Sequence, residues 1–134
     1  SGYSDMPINH KIFLAQFDTI KKLADEASCV IVGRCADYAL EDYPNVVSVF
    51  ITGDDKDKLK RLQELYKVDE SKAKDIMIKT DKQRSNYYNY YSNKKWSDPR
   101  SYDLCINSSK VGADGAVDVI MNFAKVKQAW NRQK

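Results

Sequence analysis

Residues able to hold an anion fall in two places in this sequence. Lys79, Asp81, Lys82 and Arg84 form the denser group. Three cations beside one acid suit a polyanion such as a nucleotide phosphate, because ammonium and guanidinium groups give charge-assisted hydrogen bonds to its oxygens. On one unbroken helix Lys79 and Lys82 would share a face and Arg84 would point away from it. A flap between two helices would let all three converge, and a solvated charged helix is the plainer alternative. The second place is Arg34, which directly follows Gly33 and precedes Asp37. Its planar fork can make two parallel bonds to a phosphate or carboxylate. A helix-start arginine paired with a surface acid reads the same way. Lys58 and Arg61 stand where they could reach such a ligand from the start of a helix, or simply form its solvated side. Tyr87, Tyr88, Tyr90 and Tyr91 could stack on a base or pack beneath a flap or in a subunit contact.

Other chemistries have little support. There is no Gly-x-Ser-x-Gly turn, and His10 is the lone histidine. Cys29, Cys35 and Cys105 lack metal-ligand spacing, so no metal site is expected. The pair Asp54 and Asp55 reads as a helix start, where a carboxylate accepts from free backbone N–H groups. What remains is anion recognition by cations, the work of phosphoryl transfer, in which a protein mainly positions groups and neutralises charge.

The elements needed to position these residues are legible as hydrophobic patterns. Residues 1–9 read as an irregular lead-in. Phe13, Phe17, Ile20, Ala24 and Ala27 then step along one helix face. Cys29-Val30-Ile31-Val32 is an unbroken apolar run ending at Gly33, as in a strand buried on both faces of a parallel sheet. A short helix carries Tyr38, Ala39 and Leu40. A second strand spans Val46–Ile51 and stops before Gly53. Leu59, Leu62 and Leu65 stripe the next helix, and Ala73, Ile76, Met77 and Thr80 the one after it. Tyr102–Ile106 reads as a third strand, and Ala116, Val119, Ile120, Phe123 and Trp130 as the core face of a last helix. Helices alternating with strands imply crossovers and a parallel sheet. The expected fold is therefore α/β, a three-layer parallel sheet with helices on both faces. Gly33, Gly53 and Asn107 would end its strands on one rim, where ligands of such sheets bind.

The 134 residues suit a single domain, 1–134, with a lid segment at about 69–98. A net charge of +3 is too mild to argue for nucleic acid, and no apolar run is long enough for a bilayer. Unpaired cysteines in apolar surroundings suggest a reducing, cytoplasmic setting. The chain opens Ser1-Gly2 without an initiator Met, and a processed, tagged or truncated chain is expected.

In the order and spacing of these residues the sequence resembles the cytidylate kinase-like branch of the nucleoside monophosphate kinases, from about Ile12 to Phe123. Val30-Ile31-Val32-Gly33-Arg34 is similar to the family's strand followed by Gly-Arg. Asp54 to Arg61 is similar to its basic helix start, with Lys58 where an arginine is usual. Lys79 to Arg84 is similar to its arginine-rich lid, with lysine at two basic positions. Tyr102 to Ser109 is similar to its last core strand, with Asn107 where Asp is frequent. The resemblance implies a P-loop kinase-like core that here lacks its first strand and phosphate loop, because no G-x-x-x-x-G-K-[ST] occurs. It implies transfer of a phosphoryl group from ATP, with Mg2+, to a CMP-like nucleotide in an intact enzyme. Arg34 and Asp37 would bind the substrate with Asp81 and Asn107. Lys79, Lys82 and Arg84 would cover the transferring group, and Lys58 and Arg61 would add nucleotide contacts. The strand missing from the family sheet lies between the Val30 and Val46 strands, so those two should not pair. The chain is then expected to be part of a longer kinase. The alternatives are a natural short homologue that closes its sheet differently, for example with a partner chain, and a front supplied in trans; exposed strand edges could also join two copies. A non-catalytic homologue that binds nucleotide or a partner protein is the rival reading.

Overall fold

The computed structural model describes the backbone of residues 6–134 and the side chains of residues 10–134. It is mixed α/β and mostly helical. The chain divides into two compact units, Ser1–Val46 and Val47–Lys134.

In the first unit, α1 (Met6–Glu26) begins inside the stretch expected to be irregular; residues 1–5 lie outside the described residues. Its apolar face holds as read: Phe13 and Ile20 are buried, with Phe17 and Ala24 beside them. Ala27 falls just past the helix end and is exposed. Ile20 joins Ala39 and Leu40 in a small core to which Ile31, Ala36, Tyr43 and Val46 add. That core fastens the short α2 (Ala36–Ala39) to α1.

The run Cys29–Val32 between them is not a strand. Val30 and Val32 are 94% and 88% exposed, whereas the apolar run had implied burial on both faces. A β-branched run becomes a buried strand only when neighbouring backbone takes up its N–H and C=O groups. Among the described residues no strand pairs with this one.

In the second unit, β1 (Val49–Thr52) and β2 (Leu104–Asn107) form a two-stranded parallel sheet, with Val49 opposite Leu104 and Thr52 opposite Asn107. Both strands are shorter than, or shifted from, the expected spans. Parallel strands need a long crossover. Here it is α3 (Asp55–Tyr66) and α4 (Glu70–Ser92), followed by a 3-10 turn at Pro99–Ser101. Asp103 locks the start of the sheet. Its N–H donates to the Ser48 carbonyl at 3.0 Å, its carboxylate accepts from the Ser48 N–H at 3.0 Å, and Lys127 donates to that carboxylate at 2.8 Å.

α3 and α4 pack as a hairpin. Lys67, in the left-handed conformation, ends α3, and Asp69 caps α4 by accepting from the Lys72 N–H at 2.8 Å. Ala73 is fully buried, and Ile76, Met77 and Thr80 are half-buried along the expected stripe. Leu59 and Leu62 face inward, but Leu65 is 64% exposed, contrary to its place in the stripe. It lies in the last turn, where the helix is ending and less is packed against it.

The aromatic residues make the second unit's main junction. Phe50 of β1 stacks on Tyr102 at 4.9 Å and takes the Trp96 edge at 5.1 Å, and Tyr88 of α4 meets Tyr102 at 5.7 Å. α5 (Ser108–Gln133) packs on both strands with Ala116 buried, and it bends at Gly112, whose φ of 73° suits a residue without Cβ. Val119 and Trp130, expected in the core, are 40% and 57% exposed. The buried face centres on Ala116, Ile120 and Phe123, and those two residues fall on its flank.

Candidate functional site

The site residues named from sequence fall into three groups. Arg34 and Asp37 belong to the first unit. Gly33, Arg34 and Cys35 have φ values of 71°, 59° and 54°, three left-handed residues in succession. Only glycine adopts that region freely, so the turn is held by its surroundings. Ala36 N–H donates to the Gly33 carbonyl at 3.2 Å. Cys35 is buried while Arg34 beside it is exposed, so the turn anchors one side chain and presents the next. Burial, with the Asp37 charge as a lesser cause, pushes the Cys35 thiol up to about 12. Asp37 sits in the first turn of α2.

The second group lies on the α3–α4 hairpin. Asp81 is its hub. One carboxylate oxygen accepts from Lys58 Nζ of α3 at 2.8 Å and the other from the Arg84 guanidinium of α4 at 3.2 Å. The Lys58 and Asp81 side chains are 33% and 28% exposed, against 60% for Arg84. The segment Lys79–Arg84 is continuous helix, so the flap that would bring all three cations together is not present. Lys79 and Lys82, three residues apart, share an exposed face, while Asp81 and Arg84 share another with Lys58. Arg61, one turn beyond Lys58, is exposed.

The third group joins the carboxyl ends of both strands. Asn107 caps α5 by accepting from the Ser109 N–H at 3.0 Å, and its amide donates to Asp54 Oδ1 at 2.9 Å. Asp54 N–H donates to Ser109 Oγ at 2.8 Å, and Ser108 Oγ donates to the Thr52 carbonyl at 3.0 Å. Asp54 was expected to cap α3 with its side chain. It stands at the N-cap position, but its carboxylate is turned to Asn107 and, at 3.8 Å, to Lys110. The sequence reading of Asn107 did not include its partners Asp54 and Ser109, nor Ser108, which ties back to Thr52. The Asn-Ser-Ser run directly after an apolar strand is the signal that could have found them.

The four tyrosines do not form a stacking platform. Tyr88 is buried, Tyr87 and Tyr91 are half-buried and in ring contact at 4.9 Å, and only Tyr90 is mostly exposed. Packing is therefore their observed role. Among the described residues no group of His, Cys, Asp and Glu could hold a metal ion, and no helix is long and apolar enough to cross a membrane.

A solved structure resembles this one closely: the crystal structure of an uncharacterized protein from Eubacterium ventriosum ATCC 27560. It is 45% identical, superposes with a TM-score of 0.83, and the match covers 87% of this chain and 74% of that chain. None of the curated proteins matches. The sequence profile of the cytidylate kinase-like family matches residues 1–110. With that match spanning most of the chain, and with the Gly33-Arg34 turn and the basic α3–α4 hairpin both inside it, the chain belongs to the cytidylate kinase-like family.

Proposed function

We propose that the chain recognises a pyrimidine nucleoside monophosphate such as CMP and, as part of an intact enzyme, serves phosphoryl transfer to it. The observation that carries this is the cationic set Lys58, Arg61, Lys79, Lys82 and Arg84 on one helical hairpin of a chain in this family. Within the first unit, Arg34 holds a phosphate by a bidentate contact, with Asp37 in the next turn; within the second, Asn107 offers a polar group. Lys58 and Arg84, aligned by Asp81, stabilise the transferring group, and Lys79 and Lys82 add charge from the adjacent face. The reading includes a P-loop kinase-like core in which Cys29–Val32 becomes a paired strand.

ATP with magnesium is the donor this reading calls for. The residues here do not fit it: they include no Gly-rich phosphate loop with its lysine and hydroxyl. The same absence of the motif favours one second reading, a non-catalytic homologue that binds nucleotide or a partner protein.

Calorimetric titration of CMP, UMP and AMP tests the proposal, with Arg34→Ala as control. CMP should bind, and the variant should lose about tenfold or more in affinity, the weight of one charge-assisted phosphate contact. Failure of all three nucleotides to bind would leave the partner-protein reading alone.

A further inference from the structure

Asp81 does more than align its neighbours: it occupies them. Lys58 and Arg84 each give a charge-assisted bond to its carboxylate, one to each oxygen, so both oxygens are engaged and both cations are partly neutralised. Any anion that uses these cations must displace that carboxylate or add its charge beside it. Like charges a few ångströms apart repel, and more strongly where solvent screening is partial. Lys58 and Asp81 are about one-third exposed, so screening there is incomplete.

We propose that Asp81 is a specificity-determining residue that sets a charge threshold, yielding Lys58 and Arg84 to a condensed phosphate and withholding them from a single phosphate. This rests on the nucleotide reading for its purpose and on the ion-pair geometry for its content. A lone monophosphate gains little by exchanging with a carboxylate of similar reach. A diphosphate spans both cations at once and brings more charge, so it replaces both contacts together. Exposed Lys79 and Lys82 are not under this control, because they lie on another face of α4. Lys58 and Arg84 would therefore engage a phosphate chain and not an acceptor monophosphate by itself.

The experiment titrates inorganic phosphate, inorganic pyrophosphate, CMP and CDP into the protein at fixed ionic strength, read at the Arg84 side-chain Nε–H signal. Wild type should bind pyrophosphate at least about tenfold more tightly than phosphate at this signal. Asp81→Asn should tighten both and shrink the ratio to about threefold or less, because a neutral amide no longer competes. Asp81→Ser is the second neutral variant and should behave alike, while Asp81→Glu, which keeps the charge, should restore the wild-type ratio. A wild-type ratio below about threefold overturns the proposal without any variant. So does weaker binding of both anions in the neutral variants, which would make Asp81 an aligning group only. If the pyrophosphate results hold but neither CMP nor CDP binds better than its inorganic counterpart, the threshold stands and the nucleotide reading falls.

Discussion

Asp98 and Arg100 show how a single pair can fix a loop. The Arg100 guanidinium meets both Asp98 oxygens, with Nη2 at 2.7 Å, and the Arg100 N–H donates to the same carboxylate at 2.9 Å. The side-chain bond to Arg100, followed by that backbone bond, pulls the carboxyl down to about 2 from its ordinary 3.8. A lowered value means the folded loop prefers the charged form. The pair therefore favours the turn above pH 3.8, and that preference disappears as pH falls through about 2. A carbon-detected titration of Asp98 should give a midpoint near 2, and Arg100→Ala should return it toward 3.8. An unchanged midpoint in the variant would show that another group holds the carboxylate. The Asp-Pro-Arg sequence announces a turn, but not this pair, because residues two apart meet only when the turn brings them round. Arg34 was singled out by local signals, glycine before it and an apolar run before that, but the strand end they imply is not formed, and a left-handed turn stands there instead.

Among the elements, α4, which carries its own local signals, matched the sequence, whereas the strand expected at Cys29–Val32, which needs a distant partner, is not formed. The α4 start was legible because Asp69 and the stripe from Ala73 to Thr80 are both local. Asp69→Ala should remove the bond to the Lys72 N–H and lower the stability of the second unit by about 1 kcal/mol in urea melts. A change within error would mean the Lys72 N–H finds water at no cost. Asn107→Ala should cost at least as much, since it severs both the α5 cap and the bond to Asp54 that ties the two strand ends. The Cys29–Val32 segment shows the limit. Its β-branched residues signal a strand, yet a strand is made by its neighbour's hydrogen bonds as much as by its own residues. Hydrogen exchange should find the amides of Val30 and Val32 nearly unprotected, while those paired within Val49–Thr52 and Leu104–Asn107 exchange slowly. Slow exchange at Val30 would mean that this segment already pairs.

At the scale of the whole chain, family and broad class were legible because Gly33-Arg34, the basic segment Lys79–Arg84 and the polar strand end at Asn107 follow one another in the order and spacing of the family. The extent of the sheet was not, since it depends on a strand that these 134 residues do not supply by motif. The same gap bears on activity. Transfer from a nucleoside triphosphate needs its phosphates held in line with the acceptor, and much of the barrier reduction comes from that positioning and from charge placed on the transferring group. In the proposed function, Lys58, Lys79, Lys82 and Arg84 would supply charge and Arg34 would hold an acceptor. Nothing in the sequence supplies the backbone N–H cradle of a Gly-rich loop. Charge without a cradle should bind but not turn over. The purified 134-residue protein is therefore expected to show no ATP-to-CMP transfer in a coupled ADP-release assay, under conditions where CMP binding is measurable. Turnover above a no-protein blank would overturn this expectation. If that turnover were abolished by Arg34→Ala and by a combined Lys58→Gln and Arg84→Gln variant, the cationic groups would have to organise the triphosphate without a loop. Turnover that survived both variants would instead mean that the transfer runs through residues outside these groups.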